Sequence, residues 1–361
     1  MRLIYLMHIP WGWAKQRPHF LAEELVKNYD VEVCCLKSYR KKNQRTEQSN
    51  NFKIRTIFVL PFGSKFRVLN FLNDILIQIQ VAKGISNFDI IWFTSPIFGY
   101  IKTETKAKYV YDCMDDFLEF PDIKSKSWLA SLYFKKEARL IETVSSIIFT
   151  SKTLKNRVLE RHSFANMKPA IVVNNAIKEM DFSGINEVQL DRKKNEINLV
   201  YIGTVSSWLD IKLIIDHICY DKSVVYNLYG PSEIEIPSFE RLHYHGPIKH
   251  SEVFERMDSA DVLVMPFIVT SLIESVNPVK LYEYIYTGKA VVACQYGESE
   301  LFSDFVYLYV NKGEYFETID EIRLNHFMGK AKIQDCRDFV RQNTWTERGI
   351  AIRNFLSSSL L

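Results

Sequence analysis

The feature that most constrains the fold is a short helix leading directly into a wholly apolar strand, within residues 275–294. Asn277 is suited to cap the helix and Pro278 to be its first residue, where a missing N–H costs nothing. Gly288 is suited to end the helix in the left-handed conformation, after about three turns. Residues 290–294 are all apolar, which is typical of a strand inside a parallel sheet and predicts an α/β protein.

Two charged residues of this helix suggest that an anion binds at its N-terminus. Lys280 lies in the predicted first turn, where the helix dipole and the free N–H groups favour an anion and disfavour a cation. A phosphate there would pair with both the N–H groups and the ammonium, and Glu283 is within reach of a ribose. The alternative is that Lys280 extends into water and pairs with Glu283 at i, i+3.

The length of the chain predicts two domains, because 361 residues exceed one ordinary core. Strand-like and helix-like segments alternate in both halves, and the polar, aperiodic stretch 178–196 is the predicted linker. We therefore place one α/β domain at 1–180, a second at 197–340, and a final helical segment at 341–361. That last helix is predicted from apolar residues at helical spacing: Trp345, Ile352 and Leu356.

Composition excludes several classes of protein. The six cysteines lack metal-type CxxC spacing and are expected to be reduced, as in a cytoplasmic protein. No stretch reaches the ~18 apolar residues that span a bilayer. Gly12 is alone after the first strand, so a G-x-G-x-x-G dinucleotide site is excluded, and no P-loop is present. We predict no metal site and no nucleic-acid partner.

Charge is unevenly distributed along the chain. Residues 1–180 carry 28 Lys and Arg against 17 Asp and Glu, whereas the remainder carries 18 against 26. Residues 37–45 are either a solvated loop or a contact to anionic lipid. Residues 124–139, which alternate cations with aromatics, are either a membrane-surface helix or a soluble helix with a basic face. The apolar stripe of helix 66–81 is expected to face the core, and the alternative is that it inserts into a membrane: Val68, Leu69, Leu72, Ile75, Leu76 and Ile79.

Loops that follow predicted strands supply candidate ligand contacts, because in a doubly wound sheet they face the ligand crevice. Aromatic rings suit stacking on a sugar, and polar side chains suit its hydroxyls. The alternative is that the tryptophans only pack the loop down. The candidates for binding an acceptor are Trp11, Trp13, Gln16, Arg17, His19 and Ser95.

Three carboxylates follow another predicted strand, at Asp112, Asp115 and Asp116. Like charges brought together raise one another's pKa, so Asp115 or Asp116 is a candidate general base for an acceptor hydroxyl. The alternative is a set of helix caps in a turn without metal.

Two stretches resemble a known family. Asn-Pro-Val-Lys-Leu-Tyr-Glu-Tyr at 277–284, with Thr-Gly-Lys-Ala-Val-Val at 287–292, resembles the nucleotide-sugar motif of bacterial GT-B glycosyltransferases. The similarity is greatest to family-4-like enzymes (glycosyl transferases group 1) that build surface polysaccharides, and residues 15–22 are similar to the opening of a subset of them. The resemblance implies two Rossmann-like, doubly wound parallel-sheet domains with a cleft between them. It also implies that 1–180 is the acceptor side, that 197–340 binds the nucleotide sugar, and that 341–361 crosses back to the first domain.

The resemblance implies a hexosyltransferase-like enzyme that moves a sugar from a nucleoside-diphosphate sugar to a glycan or polyprenyl-linked acceptor. No cofactor is expected, and UDP is favoured over GDP as the donor nucleotide. The absence of Asp-x-Asp argues against a metal-dependent GT-A enzyme. The protein is expected to be cytoplasmic, as a peripheral protein on the inner face of the plasma membrane. The alternative function is a non-catalytic protein that binds a sugar nucleotide or a glycan.

By position, the resemblance assigns the donor's diphosphate to Lys280 and its ribose to Glu283. Retaining members usually carry two glutamates eight residues apart, but Ser275 stands eight before Glu283, and Glu274 is predicted to lie in the preceding loop. Inversion and retention therefore both stay open. The further donor-binding candidates are Gly203, Thr204, Tyr229, Gly230, Gly246, Ile248, Asn277, Pro278 and Val279.

Overall fold

The computed structural model describes residues 1–12, 15–38, 52–102, 105–179 and 196–359. The chain divides into two compact units, Met1–Asn175 with Trp345–Leu361, and Ala176–Thr344. Most of the predicted linker lies outside the described residues.

The first unit is built on a seven-stranded, all-parallel sheet. Its strands are β1 (Arg2–Met7), β2 (Asp30–Ser38), β3 (Lys53–Val59), β4 (Ile90–Phe93), β5 (Lys108–Cys113), β6 (Ser146–Phe149) and β7 (Ala170–Val172). Its helices up to residue 175 are α1 (Arg17–Leu25), α2 (Arg67–Ala82), α3 (Pro121–Lys124), α4 (Ser127–Thr143) and α5 (Lys152–Arg161). The strand order is β3-β2-β1-β4-β5-β6-β7.

The second unit has a six-stranded, all-parallel sheet. Its strands are β8 (Ile197–Ile202), β9 (Val224–Tyr229), β10 (Leu242–Tyr244), β11 (Val262–Met265), β12 (Ala290–Cys294) and β13 (Tyr307–Tyr309). Its helices are α6 (Ile211–Tyr220), α7 (Val253–Asp258), α8 (Ser271–Glu274), α9 (Val279–Tyr286), α10 (Lys312–Leu324) and α11 (Ile333–Arg341). The strand order is β10-β9-β8-β11-β12-β13.

The final helix, α12 (Trp345–Ser359), is part of the first unit. The three apolar residues that predicted it are all buried. Trp345 stacks on Phe20 of α1 with ring centroids 5.1 Å apart. The helix predicted at the C-terminus is therefore present, and it packs on α1.

The helix and strand of the central stretch are present, but the helix begins later than predicted. It starts at Val279, with Pro278 in extended conformation at the N-cap position. Asn277 lies one residue before the N-cap position, and its buried Oδ1 accepts from the Tyr282 hydroxyl at 3.4 Å. The eight residues of α9 make about two turns rather than three. Gly288 has φ +70° and ends the helix as predicted, and β12 is fully buried.

The prediction that the apolar stripe of α2 faces the core is wrong. Val68, Leu72, Ile75 and Ile79 are exposed, and the side chains buried from this helix are those of Asn70, Ile77 and Val81.

Candidate functional site

Each sheet has a point where the strand order reverses, and this is where ligands bind in open α/β sheets. In the first unit the reversal lies between β1 and β4, and in the second it lies between β8 and β11. The loops at the carboxyl ends of these strands contain Trp11, Gln16 and Ser95 in the first unit and Gly203 and Thr204 in the second.

In the second unit, glycines let the carboxyl edge of the sheet close up tightly. The Gly203 N–H donates to the Tyr229 carbonyl at 2.8 Å, and the Gly230 N–H to the Gly246 carbonyl at 2.8 Å. Gly230 has φ +133°, and a Cβ there would lie 2.0 Å from the Gly203 oxygen. Only glycine fits at this position, and the edge presents bare backbone to whatever approaches it.

The same edge carries the N-terminus of α9. The hydroxyl of Tyr284 accepts from the Ile202 N–H at 2.8 Å and thereby fixes α9 against the end of β8. In the first turn, Lys280 Nζ lies 2.7 Å from Glu283 Oε2, and both side chains are partly exposed. The i, i+3 pair of the alternative interpretation is therefore formed. The Leu281 N–H donates to the Pro278 carbonyl at 3.2 Å. The N-terminal end of a helix favours an anion, which would meet the Lys280 ammonium there together with backbone donors.

The other donor-binding candidates lie around this edge. Asn277 and Pro278 are buried just before α9, whereas Val279, Thr204 and Ile248 are partly exposed. Tyr229 stacks on His245 with ring centroids 4.4 Å apart. Their donor contacts stay predictions.

Ser275 and Glu274 bear on whether the anomeric configuration would be retained or inverted, and the structure describes both. Ser275 is buried and its hydroxyl donates to the Leu272 carbonyl at 2.8 Å. Glu274 ends the short helix α8, so the prediction that it lies in a loop is wrong. Thr270 caps this helix by accepting from the Ile273 N–H at 3.3 Å. The position eight residues before Glu283 is thus a buried serine and not a carboxylate.

In the first unit, Arg17 is the centre of a buried network. Its guanidinium donates to both carboxylate oxygens of Asp112, at 2.8–3.1 Å, and to the Val173 carbonyl at 2.8 Å. Side-chain exposure in this ion pair is 4% for Arg17 and 0% for Asp112. Arg17 therefore joins the start of α1 to the carboxyl ends of β5 and β7, and in this structure its bonds are made within the protein.

His19 and Trp11 also hold the loop after β1 together. The Gln16 N–H donates to His19 Nδ1 at 3.2 Å, and His19 Nε2 lies 3.1 Å from the Trp11 carbonyl. Nε2 therefore carries the proton, and burial lowers the pKa of His19, so the ring is neutral. Trp11 is buried against this ring, as expected if the loop is simply packed down.

The remaining acceptor candidates differ in exposure. Ser95 is buried and caps a short 3-10 helix, Pro96–Phe98, by accepting from the Ile97 N–H at 3.3 Å. Gln16 is exposed, and Trp13 lies outside the described residues. Their roles toward an acceptor stay predictions.

The structure distinguishes the two candidate bases. Asp116 is buried, and both of its carboxylate oxygens accept from Arg161 at 2.8 Å. Arg161 also donates to Glu137 at 2.9 Å, so Asp116 belongs to a closed ionic network. The carboxylate of Asp115 has no hydrogen-bond partner among the described residues, and burial raises its pKa to about 6. Asp115 is therefore the one of the two whose carboxylate is not held by an arginine hydrogen bond, and its role as a base stays a prediction.

His8 is a further polar residue of the loop after β1 that the sequence offers for ligand contacts. It directly follows β1, and the Thr94 hydroxyl donates to the Leu6 carbonyl at 3.0 Å. That hydroxyl oxygen then accepts from His8 Nδ1 at 2.9 Å, which leaves Nε2 as an acceptor. Burial lowers the pKa of His8 to about 4, so the ring is neutral at physiological pH. Its position immediately after the strand was the available signal.

Metal-binding clusters and membrane-spanning helices were both sought in the described ranges. No cluster of three His, Cys, Asp or Glu side chains there could hold a metal ion. None of the described helices is both long and apolar enough to span a bilayer.

Comparison with known proteins finds a sequence relative. No family model matches the chain. Over 257 residues the chain is 26% identical to a Bacillus subtilis (strain 168) protein named as a teichuronic acid biosynthesis glycosyltransferase, TuaH. The match covers 66% of this chain and 64% of that protein, so it spans less than two thirds of the relative's length.

Solved structures match over nearly the whole chain. Sucrose-phosphate synthase from Thermosynechococcus elongatus has a TM-score of 0.74 at 12% identity, over 99% of each chain. The chain has the GT-B fold. Anabaena HepE, solved with UDP and glucose, has a TM-score of 0.72 at 14% identity, over 99% of this chain and 100% of that one. The lipopolysaccharide galactosyltransferase WaaB has a TM-score of 0.69 at 12% identity, over 99% of each chain.

These matches confirm the GT-B resemblance predicted from residues 277–292, and with it the architecture of two Rossmann-like parallel-sheet domains. At these identities the structural matches establish the GT-B fold alone.

Proposed function

We propose that this GT-B protein is a glycosyltransferase of surface polysaccharide synthesis, acting at the cytoplasmic face of the membrane. It would move a sugar from a nucleoside-diphosphate sugar to a glycan or polyprenyl-linked acceptor. The observation that carries the proposal is the Lys280–Glu283 pair in the first turn of α9, beside the glycine-lined carboxyl edge of the second unit's sheet. The name of the B. subtilis relative supports the same activity.

In the proposed mechanism, α9 stabilises the leaving diphosphate. Negative charge develops on this group as the bond to the sugar breaks, and fixed positive charge lowers the barrier most at that point. The Lys280 ammonium and the first N–H groups of α9 would bind the diphosphate, and Gly203 lets the backbone approach it closely. Glu283, released from its pair, would accept hydrogen bonds from the ribose. No metal or cofactor is assigned a role.

UDP is the proposed donor nucleotide. HepE, which shares the fold, was solved with UDP and glucose, and a trehalose-6-phosphate enzyme of E. coli with the same fold was solved with UDP-2-fluoro glucose. Both observations support a uridine nucleotide as the first to be tested.

Asp115 is proposed as the general base that accepts the proton of the attacking hydroxyl. Its carboxylate has no hydrogen-bond partner among the described residues, and its pKa of about 6 suits proton transfer near neutral pH. A base in this role corresponds to inversion at the anomeric carbon. The configuration of the product, read by NMR of the anomeric proton, distinguishes this route from retention at the diphosphate face.

The pH dependence of kcat/KM tests this role. Because burial raises the pKa of Asp115 to about 6, its basic form is present above that pH and is lost as the pH falls through it. We expect the rate to fall about tenfold between about pH 7 and about pH 5. Asp115→Asn should remove this acidic limb, whereas Asp122→Asn, which changes an exposed acid on α3, should keep it. An unchanged limb in Asp115→Asn would exclude the residue as the base.

Turnover itself tests the proposed function. The full chain is incubated with UDP-glucose, UDP-galactose and their N-acetyl counterparts, with free or polyprenyl-linked oligosaccharides, and UDP release is followed. We expect release that requires both one donor and one acceptor. UDP binding without release from any combination would instead indicate the non-catalytic binding protein.

A further inference from the structure

The outer face of α2 is an unusually apolar surface for a protein in water. Five side chains at helical spacing, here called the α2 stripe, point outward: Val68, Phe71, Leu72, Ile75 and Ile79. The exposed fractions of Val68, Phe71 and Ile79 are 70%, 65% and 63%. A surface helix ordinarily turns such a stripe toward the core. A contiguous exposed apolar surface of this kind marks a site of interaction.

Hydrogen bonds on the inner face fix this orientation. Asn73 accepts from the Leu60 N–H at 2.7 Å and donates to the Leu60 carbonyl at 3.0 Å. Gln80 makes the same reciprocal pair with the backbone of Phe58, at 3.0 and 2.9 Å. Rotating the stripe inward would break these bonds and leave polar groups buried without partners. The stripe is therefore held outward by the fold.

An ionic contact holds α2 against α4. The Lys136 ammonium, whose side chain is fully buried, lies 2.5 Å from an Asp74 carboxylate oxygen. This contact neutralises the acidic residue of α2.

An open groove of about 730 Å³ adjoins the stripe, between α2 and α4. Its walls combine stripe residues with the apolar parts of Trp128 and Leu132. Its charged lining, apart from the neutralised Asp74, is basic: Arg67, Lys102 and Lys135. The Arg67 guanidinium lies over the Trp128 ring at 5.6 Å, which places this cation at the rim of an apolar surface.

We propose that the α2 stripe and its basic rim dock on the surface of an anionic lipid bilayer. Apolar side chains would enter the boundary between headgroups and acyl chains, and the cations would lie at the level of the lipid phosphates. A second copy of the chain would bring Arg67, Lys102 and Lys135 toward the same cations of its partner, which opposes that occupant. The positive charge of these three side chains favours an anionic surface instead.

Vesicle co-sedimentation of the full chain, without nucleotide, tests this docking. We expect binding to phosphatidylcholine vesicles that contain phosphatidylglycerol, and much weaker binding to phosphatidylcholine alone. Phe71→Gln with Ile79→Gln should lower the partition coefficient at least about tenfold, because two apolar side chains no longer leave water. Arg67→Gln with Lys135→Gln should lower it about fivefold per cation on the anionic vesicles.

The matched control changes two equally exposed apolar residues of the second unit, Val310→Gln with Leu324→Gln, whose exposed fractions are 68% and 78%. This variant should bind vesicles like the unchanged protein. Docking by the stripe is overturned if the unchanged protein does not bind anionic vesicles, or if the control loses as much binding as the stripe variant. It is also overturned if the stripe variant only converts a dimer to a monomer in analytical ultracentrifugation, which would make this face an interface between copies. Because no nucleotide is used, these outcomes are independent of the proposed transfer activity.

Discussion

Lys280→Ala is expected to weaken UDP binding about 10- to 100-fold while the protein stays folded. The ammonium would make charge-assisted bonds to the diphosphate, each contributing about 1.5–3 kcal/mol. Within the protein itself, the ammonium pairs with Glu283 at the surface of α9. A partly exposed ion pair of this kind contributes at most about 1 kcal/mol to folding. This variant should therefore lose affinity for UDP with little change in its free energy of unfolding.

Isothermal titration with UDP measures the fall in affinity, and urea unfolding checks the fold. The control is Lys27→Ala, which removes the lysine of another i, i+3 pair, with Glu24 at 2.6 Å in the first unit. We expect Lys27→Ala to bind UDP with unchanged affinity. An unchanged dissociation constant in Lys280→Ala would remove Lys280 from the donor site.

Arg17→Met is expected to lower the free energy of unfolding by about 3–5 kcal/mol. The substitution keeps most of the side-chain volume but leaves the carboxylate of Asp112, which is fully buried, without its cation. It also removes the donor to the Val173 carbonyl, which ties the end of β7 to α1. The large cost comes from the uncompensated charge more than from the value of the pair itself.

Urea unfolding, followed through the transition of the first unit, measures this loss of stability, and two other variants serve as comparisons. Arg2→Met breaks an ion pair with Asp30 that is exposed on both sides, and it should cost no more than about 1 kcal/mol. Arg17→Met combined with Asp112→Leu should recover much of the stability, because both charged groups are then gone. A cost for Arg17→Met as small as that of Arg2→Met would contradict a buried, structural role.

The strands were predictable where burial on both faces leaves an unbroken apolar run. Residues 290–294 form β12 as the sequence indicated, and Gly288 ends α9 because it alone in that turn adopts a left-handed conformation at little cost. The start of α9 was not predictable from capping preferences. The helix begins after Pro278 rather than at it, and the Asn277 side chain accepts from the Tyr282 hydroxyl of α9.

The orientation of α2 shows a second limit. Periodicity identifies the apolar face of a helix but not the direction in which that face points. The side chains that decide the direction, Asn73 and Gln80, pair with the backbone of Leu60 and Phe58. Such contacts depend on the tertiary position of the strand beside the helix, which the spacing of apolar residues does not encode.

In the candidate site, the sequence identified the acidic cluster but not which of its carboxylates pair with arginines. Asp112 and Asp116 each bind a different arginine, one 95 residues before and the other 45 residues after in the chain. These long-range pairings leave Asp115 as the carboxylate without a hydrogen bond among the described residues. Lys280 and Glu283, by contrast, stand at i and i+3 of one helix, so their proximity followed from helical spacing.

The central claim is that the second unit binds the nucleotide of a sugar donor. Calorimetric titration of the full chain with UDP, GDP, ADP and CMP, without added metal, tests it most directly. We predict saturable binding of UDP in preference to the other three, with an increase in thermal stability that grows with ligand concentration. Binding of none of the four nucleotides would contradict this claim and leave α9 as an ordinary structural helix.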